Sequence, residues 1–347
     1  EKTPSFSVAP AKQIFHCFGC NAGGNVFSFL MEYQKLSFPE SVEFLADQYN
    51  IPIKIINNRS SSEIFSALYE LHTIAVDLYQ ENLYSKSGEK VLKYLLERGL
   101  DDAVIKKFRV GYAKDSWNQL TELCKGKGFT KSQIMQSGLF SVTDKGVFDR
   151  FRYRVMFPIF HASGKPIAFG ARALSKSEPA KYLNSPETLL YKKSEVFYGL
   201  HESREEIRKK QYAILVEGYM DFLKLYQTGF KSLIAISGTA FTTKHIISLR
   251  RIAQKIILLY DGDEAGSNAT LRSGWLLLKD GLEPLVVRPP NKLDPDNWID
   301  LEDIKKIQSV IGNPIDFADF HIEYKNALAL KGVDRKNYII SVAQEIK

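Results

Sequence analysis

Cysteine is scarce: only Cys17, Cys20 and Cys124 occur in 347 residues. Three thiols make no disulfide framework, so a reducing, cytosolic setting is expected. No apolar run approaches the ~20 residues that span a bilayer, and no leader pattern opens the chain, so no membrane association is expected. The G-x-x-x-x-G-K-[ST] phosphate loop is missing, which argues against a nucleotide-driven motor. Internal repeats and low-complexity tracts are also lacking. The first residue is Glu1 rather than Met, and a fragment of a longer chain is the expectation. What is present is an ordinary globular composition, 44% apolar and 25% charged, long enough for two or three domains.

Charge is unevenly placed. The formal net charge is +7, and residues 145–193 alone hold ten Lys or Arg (Lys145, Arg150, Arg152, Arg154, Lys165, Arg172, Lys176, Lys181, Lys192, Lys193) against three acids. The rest of the chain is therefore neutral on balance. Such a block is the footprint of a polyanion site, with a plain solvated basic face as the competing reading.

The opening stretch reads as two short strands, "PSFSV" and "KQIFHCF", the second ending in Cys17-Phe-Gly-Cys20. Two thiolates aimed from one turn form half of a tetrahedral zinc site; a redox pair is the competitor, disfavoured by the β-rich setting. His16 alternates to the opposite face from Cys17. "SFPESVEFLADQYNI" reads as an amphipathic helix, and the polar "KIINNRSSSE" places a boundary near residue 58. Helical spacing runs from Ser62 to Leu83, and "GEKVLKYLLERGL" and "DDAVIKKFRVGYA" read as short helices of core residues without assigned chemistry. Cys124 reads as a structural thiol. "RVMFPIF", "HASGKP" and "IAFGARAL" read as a hairpin carrying Arg150, Arg152, Arg154 and Arg172.

After residue 210 strands and helices alternate, which predicts a small parallel α/β sheet, and the last ~45 residues read as helical. Three strand ends carry acids: Glu217 with Asp221, Asp261 with Asp263, and Asp294 with Asp296. In a parallel sheet all six converge on the rim where ligands bind. So many like charges raise one another's pKa unless a cation joins them, and hard divalent ions suit oxygen ligands. Each D-x-D is read as two carboxylates on one face of an extended segment, able to hold one ion or bridge two. The matching chemistry is phosphoryl or nucleotidyl transfer. The bland reading, turn residues and helix caps, explains one pair more readily than three.

Glu-Gly-x-x-Asp at one strand end and Asp-x-Asp at another resemble the Toprim domain of primases, topoisomerases and some nucleases. "YDGDEAG" with "DPD", "RFRYRVMFPI", "FGARAL", "KYLNSPET", "VFYGL", and "RGL" with "FRVGYA" are similar to the bacterial DnaG-type primase core, and "EKTPSF…HCFGC" to the end of that family's zinc ribbon. The resemblance runs from residue 1 to about 300 in the family's order.

It implies four parts: a truncated zinc ribbon (1–58), a basic mixed α/β subdomain (59–205), a Toprim parallel α/β sheet (206–299) and C-terminal helices (300–347). By the resemblance, Glu217, Asp221, Asp261, Asp263, Asp294 and Asp296 match the acidic set that holds Mg²⁺ or Mn²⁺. Glu217, Asp261 and Asp263 are its catalytic members, and Glu217 is the candidate to help deprotonate the attacking 3′-hydroxyl. Arg150, Arg152, Arg172, Lys181 and Lys193 match residues along the template and nucleotide path. Cys17 and Cys20 match the last two Zn²⁺ ligands, and His16 a non-ligand position; zinc is expected in the intact protein rather than in this fragment. Lys12, Phe15 and Phe18 are candidates to steer or stack template bases, against packing within the ribbon. The implied activity is synthesis of short RNA primers from NTPs on single-stranded DNA, with the replicative helicase as partner through a domain outside this chain. A Toprim nuclease and a non-catalytic nucleic-acid-binding module are the rival readings.

Overall fold

The computed structural model describes residues 5–34, 36, 38–49, 51, 59–175 and 177–346. Contacts divide the chain into two compact units, Glu1–Ser62 and Glu63–Lys347. The boundary expected at residue 58 lies outside the described residues, as does Lys176.

In the first unit, strands Phe6–Ala9, Ile14–Cys17 and Gly23–Gly24 form an antiparallel sheet in chain order. Helices Val26–Tyr33 and Phe38–Gln48 follow, the first capped by the Asn25 side chain accepting from Ser28 N–H at 3.0 Å. A small aromatic core holds this unit: Phe15 lies 5.5 Å from Phe6 and 5.4 Å from Phe29, ring centroid to centroid.

The second unit begins within the long helix Arg59–Tyr84, with helices Glu89–Glu97 and Asp102–Lys107 after it. The "GYA" expected to end a helix is instead the strand Gly111–Ala113, which pairs with Arg154–Phe160. Arg109 (φ +52°) turns the chain there, and Val110 and Tyr112 bury their side chains in the core. Arg154–Phe160 and Pro166–Ala173 form the expected hairpin, and Tyr182–Asn184 completes a four-stranded antiparallel sheet. Arg150 and Arg152 precede that hairpin rather than riding on it.

The second sheet of this unit runs Leu233–Ala235, Tyr212–Val216, Lys255–Leu258, Glu283–Val286, all parallel. The C-terminal region is not wholly helical: Ile315–Asp316 adds an antiparallel edge strand between helices Ile304–Gly312 and Phe317–Tyr324. The helix Tyr219–Gln227 is buried from Tyr219 through Tyr226, because it is clasped between the two sheets. Phe157 of the hairpin stacks on Tyr219 at 4.9 Å, and Gly170 of the neighbouring strand leaves room for that ring: a Cβ there would fall 2.1 Å from Tyr219 Cζ. Each ring fully buried in this way contributes about 1.5–3 kcal/mol, and this shared core fixes the acidic rim against the basic sheet.

Candidate active site at the acidic rim

Two adjacent parallel strands, paired Leu215 to Leu258, deliver the first acids. Glu217 follows Tyr212–Val216 directly, and Asp221 sits in the first turn of the next helix, where its Oδ2 accepts Gly218 N–H at 3.0 Å. Asp261 lies in the loop after Lys255–Leu258. Gly266, in the first turn of the helix that follows, lets this loop pack closely: a Cβ there would sit 2.1 Å from the Asp261 carbonyl oxygen.

The two D-x-D segments do not continue as strands but lead into helix starts. Asp263 caps helix Glu264–Lys279 by accepting Gly266 N–H at 2.8 Å, and Asp294 caps helix Pro295–Leu301 by accepting Asn297 N–H at 3.2 Å. Pro295 at the first helical position favours this start, so Asp296 falls in the first turn. Nor does the third pair end a strand; Glu283–Val286 stops eight residues earlier, and a short 3₁₀ turn brings the chain back. Gly262 N–H then bonds the Leu293 carbonyl at 2.8 Å, and Asp296 N–H bonds Asp221 Oδ1 at 3.0 Å.

A cavity of about 620 Å³ results, walled by Glu217, Asp221, Asp261, Asp294 and Asp296 with Arg98, Arg172 and Lys181. Asp263 lies outside the wall but close enough to act electrostatically on Glu217 and Asp261. Burial, then the charge of Asp261, pushes Glu217 up to about 7. Burial, then Asp261, Asp296 and Asp294, pushes Asp221 up to about 7. Asp261 rises to about 6 from burial and from Asp294, Asp263 and Asp296. Five of the six acids thus line one cavity, and their like charges add to burial in favouring the protonated forms.

The basic residues separate into two groups. Arg172 donates to Tyr182 Oη at 2.9 Å and lies over the Tyr94 and Tyr182 rings, and exposed Lys181 shares its cavity. Arg150, Arg152 and Lys193 do not line it. Half-buried Arg150 has no partner at Nε, and its burial disfavours the charge. Arg152 donates to the Asp149 carbonyl at 2.7 Å and stacks 3.7 Å from the Trp117 centroid. Lys193 N–H bonds Glu187 Oε1 at 3.1 Å. Arg154 is buried against Glu178 and the Ala180 carbonyl, a structural placement.

Two parts of the wall escaped sequence reasoning. Arg98 pairs with Asp296 Oδ2 at 2.5 Å, although its segment was assigned no chemistry. The loop from Ser237 to Ala240 follows a strand with no acid at its end. Ser237 takes φ +54° so that its N–H reaches the Glu217 carbonyl at 2.8 Å, while Asn184 donates to the Ser237 carbonyl and accepts from Tyr219 Oη. Only the Ser-Gly pair hinted at it.

In the first unit, Cys17 and Cys20 are both free. The Ser5 hydroxyl, then the Cys20 and Gly19 backbone, pulls the Cys17 thiol down to about 7, so it is partly thiolate at neutral pH. Phe15 is 7% exposed and packs beneath the ribbon, which removes it as a base-stacking surface; Phe18 is 76% exposed. The His16 ring lies edge-on to Phe18, its Nδ1 buried without a partner.

With this geometry in view, three family models match: "CHC2 zinc finger" over residues 1–61, "DNA primase catalytic core, N-terminal domain" over 78–204, and "Toprim-like" over 214–299. A DNA primase of Clostridium acetobutylicum is 40% identical over 325 residues, 93% of this chain and 54% of that one. The zinc-binding and RNA polymerase domains of the Aquifex aeolicus primase are 34% identical, with TM-score 0.67, over 90% of this chain and 76% of that one. This chain belongs to the DnaG primase family. A DnaG primase catalytic domain solved bound to single-stranded DNA is 32% identical, with TM-score 0.70, over 76% of this chain and 83% of that one. The chain spans about half the length of the curated relatives it matches.

Toprim-type acids call for a divalent cation, and the residues fit one. Glu217 Oε1 is buried with no hydrogen-bond partner, and three carboxyls are held above their ordinary range by burial and then by neighbouring acids. Among the described residues no three acid, His or Cys side chains stand close enough together to hold a metal ion by themselves. Mg²⁺ does not require that, since it keeps waters and takes phosphate oxygens. The ribbon supplies two thiols, half of a zinc site. No helix among the described residues is long and apolar enough to cross a membrane.

Proposed function

We propose that this chain is the polymerase portion of a cytoplasmic DNA primase, making short RNA primers from NTPs on single-stranded DNA during replication. The reading divides it into a truncated zinc ribbon (1–58), a basic subdomain (59–205), a Toprim domain (206–299) and a C-terminal helical segment (300–347). The observation that carries it is one cavity with five carboxylates facing Arg98, Arg172 and Lys181. Glu217, Asp221, Asp261, Asp263, Asp294 and Asp296 are the residues to hold Mg²⁺ or Mn²⁺; Asp221 accepts N–H groups on both oxygens, and Asp263, Asp294 and Asp296 are each engaged through one, so Glu217 and Asp261 have the freer oxygens. When bound, the metal stabilises the attacking and leaving oxygens.

Glu217, whose Oε1 has no protein partner, is the residue assigned to accept the proton of the 3′-hydroxyl. Arg172 and Lys181 hold the triphosphate or template phosphates, contacts that position without reading sequence. Arg150, Arg152 and Lys193, outside the cavity wall, are assigned to the template further out, with Phe18 and Lys12 as ribbon contacts. Cys17 and Cys20 contribute two zinc ligands in the intact protein, and the replicative helicase is the partner of a domain beyond this chain.

The test is extension of an RNA annealed to single-stranded DNA, with labelled NTPs and Mg²⁺ or Mn²⁺, wild type beside Glu217→Gln. DNA degradation is scored in the same lanes. Growth lost in the variant supports the reading. Metal-dependent cleavage without growth replaces it with a nuclease, and DNA binding with neither reaction replaces it with a non-catalytic module.

A further inference from the structure

Lys224 is fully buried, three residues along the helix from Asp221. A buried ammonium persists only when oxygens surround it, and the structure provides three. Its Nζ donates to Asp300 Oδ2 at 2.5 Å and to the Asp296 carbonyl at 3.1 Å, and lies 3.9 Å from Asp296 Oδ1. That Oδ1 is buried and has no hydrogen-bond partner, while Oδ2 of the same group belongs to Arg98. Gly99, at φ +81°, closes the arrangement: a Cβ there would lie 3.4 Å from Lys224 Cε and 3.2 Å from Asp300 Oδ1.

We infer that Lys224 is a positioning residue of the acidic site: an internal cation that holds the Asp294–Asp300 segment against the Asp221 helix and neutralises its Asp296 arm, work that otherwise falls to a divalent ion. The inference rests on the metal-carboxylate reading of the cavity. It deepens that reading by giving Asp296 a role apart from direct ligation. Asp296 sits between two fixed cations, Arg98 and Lys224, and passes its position to Asp221 through its own N–H. Removing the ammonium leaves Asp221, Asp261, Asp294 and Asp296 facing one another with one cation fewer, and an added metal then has more charge to neutralise.

The experiment titrates the 347-residue protein with Mn²⁺, following free Mn²⁺ by electron paramagnetic resonance, for wild type, Lys224→Met and Asp300→Asn. Thermal melts are recorded with EDTA and with Mg²⁺. Lys224→Met is expected to bind Mn²⁺ about tenfold more tightly, and to melt several degrees below wild type in EDTA with most of the loss recovered by Mg²⁺. Asp300→Asn, which leaves Lys224 wholly to Asp296, is expected to bind Mn²⁺ more weakly than wild type. A lysine that only supports packing would give the same melting loss with and without metal and Mn²⁺ affinities within twofold of wild type in both variants; that result overturns the inference. Should Lys224→Met fail to fold, unchanged or tightened binding in Asp300→Asn overturns it alone. Wild type that binds no Mn²⁺ overturns the metal reading itself, a distinguishable failure.

Discussion

Replacing Asp221 by Asn removes a charge that the metal-free protein is worse off for having. The group sits 9% exposed, and its folded value of about 7 stands above the ordinary 3.8. The folded state therefore binds this proton more tightly than the unfolded state, and stability falls as pH rises from 3.8 through about 7. A gap of about three pH units at 1.36 kcal/mol each costs about 4 kcal/mol once the group is ionised. Asn avoids that cost and keeps the shape, but its single carbonyl serves only one of the two N–H groups, Gly218 and Asp296, that Asp221 accepts. Losing one acceptor costs about 1–3 kcal/mol. The balance at pH 8 in EDTA favours Asp221→Asn by about 2 kcal/mol, or about 3 °C in melting temperature for a unit of this size. At pH 5 the wild-type carboxyl is protonated and the advantage disappears. Thermal unfolding in EDTA from pH 5 to pH 8, both proteins side by side, measures it. A variant less stable than wild type at pH 8, or a difference independent of pH, refutes the electrostatic account of this rim.

Further outcomes follow from the same geometry. Glu217→Gln should keep its circular dichroism spectrum and melting temperature to within a few degrees while nucleotide incorporation drops at least about 100-fold in single-turnover assays. Arg98→Ala strips Asp296 Oδ2 of its partner, and urea unfolding should report a loss of about 3 kcal/mol; the same variant with Asp296→Asn should recover part of it. Gly170→Ala drives a Cβ into the Tyr219 ring, costing about 2–3 kcal/mol by urea unfolding. It also lowers incorporation, because Tyr219 Oη steadies Asn184 behind the Ser237 loop.

How much of this was legible depends on whether a signal was local. The strand Tyr212–Val216, its Glu-Gly turn and Asp221 lie within ten residues, and the hairpin Arg154–Phe160 with Pro166–Ala173 carries its apolar run and its turn side by side. Arg98 was opaque because it ends a helix read as core residues without chemistry, and its partner lies 198 residues away. Lys224 hides in an apolar run, where one basic residue reads as a solvated face rather than as a buried ion pair. The edge strand Ile315–Asp316 has two residues, too short for alternation to register. The D-x-D segments were legible as acids, but their part in starting helices was not read. Pro295 after Asp294, and Glu-Ala-Gly after Asp263, are helix-start signals, and a capping carboxylate serves the helix and the cavity together.

The central claim is that the acidic cavity joins nucleotides under the direction of a template. The most direct measurement gives the protein one labelled NTP at a time with Mg²⁺ and a short RNA annealed to DNA whose next four bases are all T, all C, all G or all A. The account predicts incorporation of only the complementary nucleotide on each template, abolished by EDTA. Addition regardless of the template base, or none on any template while the DNA is cut, contradicts it.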